Sequence, residues 1–166
     1  MATPIQVANT FISRYGQTDD LTHMKLQKLV FFADGWKVGF NGESLVNERP
    51  QVWRYGPVFR SLYNALTGYG NTPIKSAVVV NPFTGNVPII NHNDQDDDSR
   101  LIDWIWDKYG RYSAMELSRD THAMGTPWHT MAQRYNFNVP FNLEIPNEVI
   151  QPYFRGLAAA EGAITT

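Results

Sequence analysis

The chain has 166 residues, a net charge of −2 and no cysteine. That length fits one domain with a proper core, and the missing cysteine removes disulfides, thiolate metal sites and cysteine nucleophiles. No run approaches the ~18–20 apolar residues of a membrane span, and no apolar segment follows basic residues at the N-terminus, so the expectation is a soluble, cytoplasmic protein.

Charge is uneven along the sequence. Residues 1–80 carry eight Lys/Arg against five Asp/Glu, and residues 81–166 carry six against eleven. Such asymmetry can steer a charged partner. It lacks the basic stripe of a nucleic-acid binder, which argues against that class.

In chain order, Thr3-Pro4 reads as cap and first helical position, and Ile5, Ala8, Phe11, Ile12 and Tyr15 recur at helical spacing up to Gly16. Thr22 caps a second helix over about 23–41, where Leu26, Leu29, Val30, Ala33 and Phe40 form one apolar stripe. Met24 and Phe31 lie on another face, and Phe32 and Trp36 on a third. A helix apolar on most sides belongs at the centre of a domain. Gly35 on that third face allows close backbone approach.

Residues 45–53 read as a loop with at most a short strand. Pro57 suits the first turn of a third helix carrying Val58, Leu62, Ala65 and Leu66. Ala77–Val80 and Val87–Ile90 read as a small hairpin around a Pro/Gly/Asn-rich turn. Asp98 or Ser99 caps a fourth helix, Ser113-x-x-Glu116 is a capping box for a fifth, and Thr126-Pro127 opens a sixth. Pro146-Asn147-Glu148 opens the last, with Pro152 close to ending or kinking it. The expected fold is α+β, predominantly α-helical: a compact single domain over 1–155, about six helices around a central buried helix plus a small β-hairpin. Residues 156–166 read as a flexible tail.

Conventional chemistry is hard to place. His122 and His129 are not the i, i+4 pair of a zinc motif. His92 beside Asp94–Asp98 lacks the Gly and distal Glu of a calcium loop. No nucleophile elbow or phosphate loop occurs, so neither a metal nor a cofactor is expected. Thr121-His122 either orders an interhelix turn or forms part of a partner or ligand site. Arg54 and Tyr55 either anchor a loop or wall a pocket beside a helix N-terminus. Lys25 and Lys28 either snorkel at the core's edge or pair with acids of a partner.

Three blocks recur in a familiar order: Lys25-Leu26-Gln27-Lys28-Leu29 continuing to Gly35-Trp36, then Trp53-Arg54-Tyr55-Gly56-Pro57-Val58, then Thr121-His122 with Pro127-Trp128. Together they resemble the Panacea domain family of SocA-like and GepA-like phage-associated proteins. The run Phe31-Phe32-Ala33-Asp34-Gly35-Trp36 departs from the family's Tyr-Phe-Ala-Gln-Gly-Trp type, placing an acceptor-only Asp34 where an amide could donate.

The resemblance implies a non-enzymatic antitoxin or phage counter-defence protein that binds a toxin or defence effector, with delivery to a host protease in some members. Lys25, Lys28, Trp36, Arg54 and Tyr55 are the expected partner-binding residues, without catalysis. Two other readings remain. One is a small hydrolase or nucleotide-acting enzyme with a pocket near Arg54, Tyr55 and His122; the other is a nucleic-acid-binding regulator.

Overall fold

The computed structural model describes residues 1–162. Its organising element is α2, His23–Asn41, which packs against α1 (Pro4–Tyr15), α4 (Asp97–Tyr109), α5 (Ala114–His122) and α7 (Asn147–Ala160). Between α2 and α3 (Arg60–Leu66), strands β1 (Gln51–Trp53) and β2 (Gly56–Val58) form an antiparallel pair. Helix α6 (Pro127–Arg134) joins α5 to the segment leading into α7.

Side-chain caps set most helix starts. Thr3, Thr22 and Thr126 each accept an N–H bond from their own first turn, and Ser113 with Glu116 forms the expected reciprocal box. Helix α4 starts earlier than its sequence suggests, because Asp96 accepts from Ser99 N–H.

Helix α2 is central as expected. Leu26, Leu29, Val30, Ala33 and Trp36 are all fully buried. Gly35 is required by α7: a Cβ there would lie 2.2 Å from the Phe154 ring. Trp36 donates its indole N–H to the Tyr109 hydroxyl (2.7 Å), and Phe32 stacks on the Tyr109 ring at 3.9 Å. These contacts fasten α4 and α7 to α2. Asp34 makes use of being acceptor-only: it takes N–H bonds from Leu45 and Val46 and pairs with Arg49 at 3.1 Å. Burial still pushes its pKa up, against the lowering effect of Arg49.

Three expectations need correction. The hairpin lies at residues 51–58, and among the described residues Ala77–Val80 and Val87–Ile90 form no strand. Those segments are held instead by buried α1 side chains. Asn9 brackets Val78 with bonds to its N–H and carbonyl, and Thr10 accepts from Ile90 N–H. Pro57 does not open α3, because Gly56 has φ +113° and both residues belong to β2. Helix α7 runs through Pro152 to Ala160, so residues 156–160 are helix; Ala158 is fully buried. Residues 161 and 162 form a turn, and 163–166 of the expected tail lie outside the described residues.

Candidate functional site

The hairpin backbone is where the sequence blocks meet. From α2, Gln27 brackets Phe59: Phe59 N–H donates to its Oε1 (2.9 Å) and its Nε2 donates to the Phe59 carbonyl (3.2 Å). One residue on, Lys28 donates to the Pro57 carbonyl at 3.0 Å. From α5, the Ser118 hydroxyl donates to the Tyr55 carbonyl (2.6 Å). From α6, the Trp128 indole N–H donates to the Trp53 carbonyl (2.7 Å). Side chains from three helices thus satisfy the main chain on both sides of one tight turn.

Gly56 fits because nothing larger does. A Cβ there would stand 2.7 Å from Thr121 Oγ1 and 3.1 Å from Lys28 Nζ, and its positive φ disfavours a side chain independently. Thr121 itself is buried and bonds the Ser118 carbonyl. Pro127 is buried as a first helical position, and Trp128 meets the His122 ring edge-on. His122 Nδ1 is buried without a hydrogen-bond partner and meets no carboxylate among the described residues. Ser118 escaped the sequence reading. A serine in a capped helix looks like a surface residue, and its acceptor lies 63 positions away.

The expected partner-binding residues separate into two groups. Arg54 and Tyr55 are at the exposed turn, with Tyr55 54 % exposed and the Arg54 guanidinium over its ring. Lys25, Lys28 and Trp36 do not form the exposed face expected of them: all three are fully buried. Lys25 pairs with Asp20 and donates to the Gly110 carbonyl, both at 2.6 Å. Trp36 is occupied by Tyr109 and Phe154. The correction is physical: a helix apolar on three faces has no flank left at which a lysine can snorkel.

Lys28 is different again. It forms the floor of a cleft of about 360 Å³ whose walls include His23, Trp53, Arg54, Tyr55 and Tyr63. Burial pushes its amine pKa down to about 7. Burial, and then the Lys28 charge, lowers His23 in turn. Gln27 Nε2 lies 3.2 Å from His23 Nε2; as a donor, the amide holds that ring nitrogen as an acceptor and the ring neutral. Among the described residues no group of three or more His, Asp or Glu side chains is placed to hold a metal ion, and no helix is long and apolar enough to cross a membrane.

Comparison with known proteins gives a consistent picture. Antitoxin SocA of Caulobacter vibrioides (strain NA1000 / CB15N) is 30% identical over 151 residues, covering 90% of this chain and 80% of that protein. No solved structure matches. The family model described as Antitoxin SocA-like, Panacea domain, matches residues 26–129, a span that opens in the Lys-Leu-Gln-Lys-Leu block and closes just past Trp128. The chain belongs to the SocA-like, Panacea domain antitoxin family.

Proposed function

We propose that the protein is an antitoxin that neutralises a toxin or effector protein by direct contact, through the surface centred on Arg54 and Tyr55. One observation carries this reading. The residues that characterise the chain point inward onto the hairpin backbone, and what they hold outward is an arginine and a tyrosine. Both types dominate the energetics of protein interfaces. Family membership supports the antitoxin role. Buried Lys28 and Thr121 and half-buried Trp128 support the contact surface from beneath; the action is occlusion in the cytoplasm, without turnover.

The test is a selection. Fragments of the native genome are introduced into a host with and without this gene, and those tolerated only in its presence encode the partner. The purified partner should bind the chain, and Arg54→Glu with Tyr55→Ala should weaken binding at least about a hundredfold, as loss of two hot-spot residues implies, with an unchanged melting temperature. A selection yielding no such fragment, or a double variant that binds like wild type, would refute the reading.

A further inference from the structure

Among the described residues, buried charges are matched, with one exception. Lys25 has Asp20 and Asp34 has Arg49, whereas Lys28 meets no carboxylate among the described residues. Its amine donates to the Pro57 carbonyl, which leaves donors to spare on an ammonium that has three. A buried cation without a counter-charge is costly. Among the described residues the cleft beside Lys28 contains no Asp or Glu, has Arg54 as a second cation, and has a wall formed by Trp53 and Tyr63, whose rings pack against each other at 4.8 Å. At about 360 Å³ it is near the lower end of ligand cavities, matching one or two side chains.

We propose that this cleft receives an Asp or Glu side chain presented by the protein partner, its carboxylate set against the Lys28 amine and its apolar neighbours against Trp53 and Tyr63. The inference rests on the protein-partner reading above and names the chemistry of what enters. The incoming carboxylate supplies the counter-charge that no described residue provides. Arg54 draws it in, since a cation at the mouth of a low-dielectric cleft raises the local concentration of anions.

The probe is a random-peptide display library panned on the purified full chain. Enriched sequences should share one Asp or Glu beside an aromatic or aliphatic residue. Replacing that acid by its amide should weaken binding at least about tenfold, the loss expected for one charge-assisted bond. In Lys28→Met the difference between acid and amide peptides should vanish. Should that variant not fold, the same peptides are read on wild type by the Lys28 Nζ resonance, which must shift with the acid peptide and stay put with the amide. Arg54→Glu must also weaken the acid peptide selectively.

Enrichment without an acid, an acid–amide difference that survives in folded Lys28→Met, or an unmoved Nζ resonance would overturn the proposal. So would competition by acetate or benzoate as strong as by the peptide, which would assign the cleft to free small acids. Panning needs no toxin, so a failed genome selection counts against the antitoxin reading alone. Partner binding undiminished in folded Lys28→Met counts against the acid-in-cleft alone.

Discussion

Lys25 and Lys28 sit one turn apart on the same helix, and both are fully buried. Around Lys25 the chain closes on itself: Asp20 from the preceding turn and the Gly110 carbonyl both accept hydrogen bonds from its amine, and the Trp106 ring lies 5.4 Å from the amine. Around Lys28 the chain leaves an opening. Among the described residues only the Pro57 carbonyl is bonded, and the cleft lined by the hairpin begins there. Two residues of one type and one exposure therefore have opposite characters: the first is a structural tie, the second a buried amine with no counter-charge among the described residues. Burial alone does not make a charged residue structural; its counter-charge decides.

The hairpin over Lys28 is the most direct place to break this arrangement. Gly56→Ala combines a strained positive φ with a clash against Thr121 and Lys28. It should cost roughly 2–5 kcal/mol, read by denaturant unfolding. A loss below about 1 kcal/mol would mean that the turn relaxes freely and that the clamp is loose.

The pH dependence of stability sharpens the comparison next. In the unfolded chain Lys28 keeps its proton to about pH 10.4, and in the fold burial pushes its pKa down to about 7. Between these values the unfolded state binds more protons, so stability rises with pH, by an order of a few kcal/mol. Above about pH 10 the trend reverses, because burial raises Tyr15 and Tyr109 and the unfolded chain ionises first. Lys28→Met should flatten the rise from pH 7 to 10. An equal slope in wild type and variant would show that Lys28 is not its source.

The smallest effect is the direct contrast at pH 7. Lys25→Met leaves the Gly110 carbonyl without its donor and should lose roughly 1–3 kcal/mol. Lys28→Met loses one bond but also removes a buried, unmatched amine, and should stay within about 1 kcal/mol of wild type. Equal losses would erase the distinction.

Much of the fold was legible because its signals are local. Caps at Thr3, Thr22, Ser113 and Thr126 each act within a single turn, and the three-faced apolar pattern of residues 23–41 already identified the central helix. The hairpin was not legible, because Gly56-Pro57 reads as a helix start until the partners of its backbone are known. Those partners come from positions as distant as Trp128 and Ser118. Pro152 misled for a related reason: it is exposed, while Phe154 packs against Gly35 and Gly39 of α2. For the candidate site, the sequence blocks mark residues that the fold packs around the hairpin, but they do not show that Lys25, Lys28 and Trp36 are buried. Periodicity tells which face of a helix a lysine occupies; whether a carboxylate waits there depends on elements tens of residues away.

Lys28 is a buried amine with no counter-charge among the described residues. Titrating the Lys28 Nζ resonance in isotope-labelled protein decides whether that holds in solution. The midpoint should fall near 7, where burial pushes it. An amine that stays protonated up to the ordinary lysine range, about 10.4, would show that a counter-charge is already in place.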